Sequence, residues 1–145
     1  MTSRPAGLLP IEPIACGDCS LGRMSGAGEG QFCPLIIRRY RPGSLLYRAG
    51  DPASYVWHVK AGVVGLSRSS DAGRCGDVEA LCVPGSFVGL ECAVRERYLR
   101  TARVMSPAIL CGATREGFDR WMRQSDERLA AVWRALLDDP LRISR

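Results

Sequence analysis

The chain has 145 residues and a formal net charge of +5, and 46% of its residues are hydrophobic. This composition is enough for the buried core of one domain. No apolar run approaches the roughly 18 to 20 residues that span a bilayer, and no secretory signal opens the chain, so we predict a cytoplasmic protein without a membrane segment. The motifs of common catalytic sites are also missing, so we do not expect an enzyme.

The positive charge is concentrated between residues 35 and 68. That segment has six basic side chains and one acidic side chain, which accounts for the whole excess. A basic surface suits nucleic acid or an acidic partner, and a solvated arginine face is the simpler interpretation.

The predicted elements begin after a long N-terminal segment. Residues 1–34 are rich in glycine, proline and serine, which predicts a flexible arm that carries cysteines. Beyond it, short runs of β-branched and aromatic residues alternate with turns such as Gly50-Asp51-Pro52. Strands at this spacing favour a sandwich or barrel. The predicted strands cover residues 35–40, 45–48, 55–61, 63–68, 77–82, 87–93, 98–104 and 109–114.

The pattern becomes helical after residue 114. Apolar residues recur at helical spacing from Phe118, and Ser125 stands where the N-cap of a second helix belongs. That helix has one apolar stripe, formed by Leu129, Val132, Trp133, Leu136 and Leu137. Pro140 ends it, because the residue before a proline is disfavoured in a helix. We therefore divide the chain into the arm at 1–34, a β domain at 35–114 and C-terminal helices at 115–145.

Several motifs resemble the effector domain of the CRP/FNR regulators. They are Pro42-Gly-Ser-Leu-Leu-Tyr-Arg-Ala-Gly-Asp51, a strand that ends in Val59-Lys-Ala-Gly-Val-Val64, Val83-Pro-Gly-Ser-Phe-Val-Gly-Leu-Glu91, and Arg100-Thr101-Ala102. The resemblance implies a mainly β jelly roll, similar to cupins and to cyclic-nucleotide-binding domains, with α-helices at its C-terminal end. Because this scaffold senses many different signals, function has to be argued from the site.

The cysteines provide the first candidate site. Cys16-Gly-Asp-Cys19 resembles the N-terminal cysteine pair of the FNR subgroup, and Cys111 stands where that subgroup has its distant ligand. The subgroup's third cysteine would fall on Ser25, and Cys33 can replace it through a longer loop at small entropic cost. The resemblance implies a metal site of Cys16, Cys19, Cys33 and Cys111. Four thiolates can hold an iron–sulfur cluster, for which we expect the 4Fe-4S type, or zinc as the alternative.

The other cysteines and the single histidine have simpler interpretations. Cys82 and Cys92 are expected to be buried as small apolar residues, whereas Cys75 lies near a turn. His58 shares a strand face with Lys60, and we expect it at the surface or half-buried.

The second candidate site resembles the phosphate-binding cassette of the family's cyclic-nucleotide binders. These proteins use a Gly-Glu pair for the ribose and, about ten residues later, Arg-Ser or Arg-Thr for the phosphate. Here Arg100-Thr101 matches the second half, but Leu90 separates Gly89 from Glu91. On a strand, this shift moves Glu91 to the other face, so we expect weak nucleotide binding. A site of Gly89, Glu91, Arg100 and Thr101 for a cyclic nucleotide or another small anion is the alternative function.

The apolar stripe of the second helix predicts assembly. In the resembled family the equivalent helix forms a two-fold dimer and leads into a winged helix-turn-helix. We expect Leu129, Val132, Trp133 and Leu136 to form the interface of a homodimer or of a heterodimer with a related regulator. Only five residues follow Pro140, so specific DNA binding by this chain alone is not expected.

Three functions are therefore predicted. The leading one is a regulatory sensor with an oxygen- or redox-responsive iron–sulfur cluster, which acts in transcriptional regulation through a partner. The alternatives are the anion-binding module at Arg100-Thr101 and a ligand-free dimerisation partner of a full-length regulator.

Overall fold

The computed structural model describes residues 36–68 and 78–138. Within these ranges, eight strands form two antiparallel four-stranded sheets, ordered β1-β8-β3-β6 and β2-β7-β4-β5, and two helices follow. The elements are β1 (Ile36–Tyr40), β2 (Leu45–Tyr47), β3 (Tyr55–Ala61), β4 (Val64–Ser67), β5 (Val78–Cys82), β6 (Phe87–Val88), β7 (Thr101–Val104), β8 (Ala108–Thr114), α1 (Arg115–Met122) and α2 (Asp126–Leu137). This arrangement confirms the predicted mainly β jelly roll with C-terminal helices. The predicted arm and Cys75 lie outside the described residues.

The turn between β3 and β4 shows why glycine punctuates the sequence. Gly62 has a φ of 86°, in the left-handed region that other residues rarely adopt. A Cβ atom at this position would lie 2.4 Å from the carbonyl oxygen of Pro107, so the close approach of the two chain segments also requires glycine.

Both faces of β3 are covered. On one face, Trp57 stacks against Tyr47 of the second sheet, with ring centroids 5.7 Å apart. On the other face, His58 packs edge-on against Phe87, which in turn packs against Phe118 of α1. His58 is therefore only 2% exposed, and the predicted surface or half-buried position is wrong. The reason is that the helices cover the face that the sequence pattern left to solvent.

The two helices are capped and joined by side chains. Ser125 Oγ accepts a hydrogen bond from the backbone N–H of Arg128 at 3.1 Å, which confirms the predicted N-cap of α2. The guanidinium of Arg128 donates to Gln124 Oε1 at 2.8 Å and to the Trp121 carbonyl at 3.3 Å. Its central carbon also lies 5.1 Å from the centroid of the Trp121 ring. These contacts join the start of α2 to the end of α1. None of the helices in the described ranges is long and apolar enough to cross a membrane.

The apolar stripe of α2 is divided between two environments. Val132 is 2% exposed and belongs to the core, and Leu129 and Leu136 pack partly buried against it. Trp133 and Leu137 are 52% and 55% exposed. Val132 therefore packs within its own chain, which corrects its assignment to a dimer interface, whereas Trp133 faces solvent.

Candidate functional site

A cavity of about 500 Å³ lies between strands β3 to β6 and helix α2. This volume suits a small-molecule ligand. Its wall combines apolar residues from both sheets and from α2 with charged side chains, which are Glu91, Arg100, Arg134 and Asp138. The cavity thus offers both an apolar surface and charge of either sign.

The segment after β6 is where the sequence prediction fails. Residues 87–93 were predicted as a strand, but the strand ends at Val88 and residues Leu90–Ala93 form a 3-10 helix. The break occurs at Gly89, whose φ of 82° is left-handed and starts the helical turn. A Cβ atom on Gly89 would lie 3.0 Å from the carbonyl oxygen of Tyr55, a tight contact that adds to the conformational penalty of a side chain here.

This turn changes the position of Glu91. Strand alternation predicted that its side chain points away from Arg100, and that prediction is wrong because residue 91 is not in a strand. Both residues line the same cavity. Glu91 Oε2 accepts a hydrogen bond from the backbone N–H of Leu99 at 3.2 Å, which links the carboxylate to the residue before Arg100. The structure therefore brings Gly89, Glu91 and Arg100 to one wall.

The two residues of the Arg100-Thr101 pair have different surroundings. Arg100 is 8% exposed and borders the cavity. Thr101 is buried, and its Oγ1 accepts a hydrogen bond from the backbone N–H of Ala49 at 3.0 Å. The threonine hydroxyl therefore ties the chain after β2 to β7.

His58 also lines the cavity, although its place in the sequence pattern indicated no such role. Burial, and to a smaller extent the nearby charge of Lys60, lower the pKa of its imidazole from 6.5 to about 4, although hydrogen bonding to the Gly85 backbone offsets part of the shift. The imidazole is therefore neutral near pH 7. A usable signal was present in the sequence, because β3 is a nearly continuous run of apolar and aromatic residues, as expected of a strand that is buried on both faces.

Of the four predicted metal ligands, Cys111 is the one that lies within the described residues. This residue is partly exposed on β8, between Ile37 of β1 and His58 of β3 in the sheet register. Cys16, Cys19 and Cys33 lie outside the described residues. Across residues 36–68 and 78–138, no group of three or more histidine, cysteine, aspartate or glutamate side chains is arranged to hold a metal ion.

The other two described cysteines are buried as predicted. Cys82 and Cys92 are buried within the core. Burial raises the pKa of the Cys92 thiol to about 11, so it has little tendency to form a thiolate.

Comparisons with known proteins agree with this architecture. The sequence matches the family described as cyclic nucleotide-binding domain over residues 37–125. It is similar to the transcriptional activator protein Anr of Pseudomonas aeruginosa, with 27% identity over 117 residues, which is 75% of this chain and 48% of the relative. The chain thus spans about half the length of this curated relative.

Solved structures show the same fold at low sequence identity. FixK2 from Bradyrhizobium japonicum aligns with a TM-score of 0.60 and 18% identity, over 71% of this chain and 50% of that one. The sensor domain of the transcriptional regulator DNR from Pseudomonas aeruginosa aligns with a TM-score of 0.58 and 16% identity, over 71% and 69% of the two chains. The predicted resemblance to CRP/FNR effector domains is confirmed. Since the family match covers more than half of the sequence, the chain belongs to the cyclic nucleotide-binding domain family.

Proposed function

We propose that this chain is the sensory part of a transcriptional regulator and that its cavity binds a small ligand with a negatively charged group. The observation that supports this most is the presence of Arg100 and Glu91 on the wall of one cavity that α2 also lines. The name of the relative Anr, a transcriptional activator protein, supports the regulatory role.

Arg100 has the chemistry to bind the charged group. A guanidinium offers several N–H donors in a fixed plane, which matches the oxygens of a phosphate or carboxylate. Its location in a largely buried wall makes each such hydrogen bond stronger than one at the surface. Glu91 adds an acceptor for a ligand hydroxyl, and its hydrogen bond to the Leu99 backbone limits its movement.

Helix α2 would report whether the cavity is filled. Val132, Ala135 and Leu136 all border the cavity, so a ligand that contacts them changes how α2 packs against the sandwich. If the chain has two conformations that differ in the position of α2, a ligand that binds one of them more tightly increases the population of that conformation.

Calorimetry with cyclic AMP and cyclic GMP tests this proposal. We expect at least one of them to bind with micromolar or better affinity, and Arg100→Gln to weaken that binding about a hundredfold, as for loss of a buried charge-assisted contact. The control is Arg39→Gln, which removes an exposed arginine from β1 and leaves the cavity intact. Absence of binding to wild-type protein, or equal effects of the two variants, contradicts the nucleotide-binding version.

A second candidate function is the redox-responsive thiolate site. It is supported by the partial exposure of Cys111 and by its register opposite Ile37, which follows Cys33 by only four residues. Four residues extend over at most about 14 Å, so a site shared by Cys33 and Cys111 is compatible with the chain length. We propose that Cys16, Cys19, Cys33 and Cys111 are the ligands. An iron–sulfur cluster at such a site would supply sensitivity to oxygen, and zinc would supply a structural link.

Purification without oxygen tests the thiolate site. For the iron–sulfur version we expect brown protein with near-stoichiometric iron and sulfide, and loss of the colour in Cys16→Ser, Cys19→Ser and Cys111→Ser. Cys92→Ala is the matched control, because that thiol is buried and its raised pKa makes it a poor ligand. Colourless protein that contains only zinc would leave the zinc version, and colour that survives Cys111→Ser would exclude the proposed ligand set.

We also propose that the chain assembles through the exposed side of α2. Trp133 and Leu137 are four residues apart and therefore lie on the same side of the helix. Large exposed apolar side chains of this kind suit an interface with a second copy or with a related regulator.

A further inference from the structure

Strand β1 is the least protected edge of the sandwich. It stands at one end of the sheet order β1-β8-β3-β6 and, within the described residues, pairs with β8 alone. Four of its five residues are exposed, whereas the other edge strands, β2, β5 and β6, each expose two residues at most. Half of the N–H and C=O groups of an edge strand point away from its sheet. β1 therefore offers a row of backbone groups with which a further strand can pair.

The side chains of β1 leave apolar surface open at this edge. Ile36 and Ile37 are 59% and 53% exposed. Consecutive residues of a strand point to opposite faces, so an isoleucine is open to solvent on each side of β1. Edge strands are usually protected from pairing by short length, bulges, proline or inward-pointing charge, and large exposed apolar side chains have the opposite effect. The two isoleucines therefore favour contact with another chain.

The charge of this edge restricts what can pair with it. Arg38 and Arg39 are exposed on β1, Arg41 is exposed directly after it, and no acidic residue occurs between residues 36 and 50. Across the part of the chain that the structure describes, these three guanidiniums have no ion pair. A second copy of β1 would bring like charges together and is disfavoured. A strand that carries carboxylates is attracted instead.

We infer that β1 is a docking edge for an extended acidic segment of a partner protein, which joins the sheet as a strand beside β1. The backbone groups of β1 supply hydrogen bonds, the two isoleucines contact apolar side chains of the segment, and the three arginines pair with its carboxylates. Nucleic acid fits less well, because isoleucines and unpaired carbonyl groups offer nothing to a phosphate. Since β1 contributes no residue to the cavity described above, this surface does not depend on the proposed ligand.

A labelled peptide of alternating glutamate and valine, acetylated and amidated at its ends, tests this inference in fluorescence anisotropy with the full chain. We expect it to bind at least about tenfold more tightly than the matched peptide of lysine and valine. Raising the salt from about 50 mM to about 500 mM should weaken it about tenfold. The same acidic peptide methylated on every backbone nitrogen keeps its charges but cannot donate to β1, so it should bind at least about tenfold more weakly.

Two variants with the same change in net charge locate the surface. Arg39→Glu should weaken the acidic peptide about tenfold, because it places a carboxylate beside the carboxylates of the peptide. Arg120→Glu changes an exposed arginine on α1 and should weaken the peptide by less than about twofold. Both side chains are exposed, so thermal unfolding should show that both variants keep the fold. Amide hydrogen exchange of residues 36–40 should slow when the peptide binds, since their free N–H groups gain acceptors.

The contrary results are distinct. Absence of peptide binding, or equal weakening by the two variants, overturns the assignment of β1 as the docking edge. Equal binding of the methylated and unmethylated peptides overturns strand pairing. Tighter binding of a DNA duplex than of the acidic peptide, lost in Arg39→Glu, would make this surface a phosphate-binding one and would also overturn the inference. None of these results bears on the cavity, which calorimetry tests separately.

Discussion

The buried imidazole of His58 makes stability depend on pH. Its pKa is lowered from 6.5 to about 4 in the folded chain, chiefly by burial. Between these values the unfolded chain binds more protons than the folded chain, so the free energy of unfolding falls as the pH falls from 6.5 towards 4. The stabilisation is fully present above the unfolded pKa and is lost through this window.

Urea unfolding at neutral pH and at about pH 4.5 measures this effect. We expect wild-type protein to lose about 2.5 kcal/mol more than His58→Phe between the two conditions, which follows from the pKa difference. Carboxylates also titrate in this range, but they are common to both proteins and cancel in the comparison. Parallel losses would show that the imidazole is equally protonated in both states.

Gly62 is a second position where one residue decides the local structure. Replacement by alanine would force a left-handed conformation on a residue with a Cβ and would place that atom against the Pro107 carbonyl. We expect Gly62→Ala to destabilise the fold by about 3 kcal/mol or more. Gly43→Ala is the matched control, since Gly43 has a similar φ of 87° but open space around its Cβ position.

The control should cost only about 1–2 kcal/mol, because it retains the conformational penalty without the collision. Equal losses in denaturant unfolding would mean that the turn moves freely away from Pro107.

At the scale of elements, the positions of the turns could be predicted better than which face of each strand is buried. Gly50, in a predicted turn, has a φ of 93°, and among the described residues Gly43, Gly62 and Gly85 also have positive φ between strands. Gly89 was predicted to lie within a strand, but its left-handed conformation ends β6 and begins a 3-10 helix. The predicted direction of the Glu91 side chain was therefore wrong. Alternation along β3 showed which residues share a face, but it gave no information about the helices that cover His58. The burial of His58 depends on contacts between β3 and helices that are far away in the sequence, and strand alternation does not report such contacts.

The N-cap of α2 is the contact on which that helix most depends locally. A twelve-residue helix is marginal in water, so both its cap and its packing matter. We expect Ser125→Ala to lower the free energy of unfolding by about 1 kcal/mol, because the N–H of Arg128 loses its acceptor. Ser125→Asp retains an acceptor and a favourable charge at the helix N-terminus, so its stability should stay close to that of wild-type protein. A similar loss in both variants would assign the effect to something other than the cap.

At the scale of the whole molecule, Trp133 tests assembly. If the proposed dimer forms, we expect Trp133→Glu to convert it into a monomer in light scattering, because the substitution places a charge next to the exposed Leu137 on α2. The unfolding midpoint should change little, since this side chain is half exposed. Val94→Glu provides the control, because Val94 is similarly exposed but lies after the 3-10 helix.

A Trp133→Glu protein with unchanged molar mass and unchanged stability would show that Trp133 belongs neither to an interface nor to the core. Loss of molar mass in the Val94 variant would instead place the interface elsewhere.

Helix α2 is shared by two surfaces. One side lines the cavity, and another presents Trp133 and Leu137 to solvent. Thermodynamic linkage then imposes a reciprocal relation. If a ligand raises the association constant of a dimer by some factor, dimerisation must raise the affinity for the ligand by the same factor. Ligand affinity measured at rising protein concentration would therefore report on assembly, even without a direct measurement of mass.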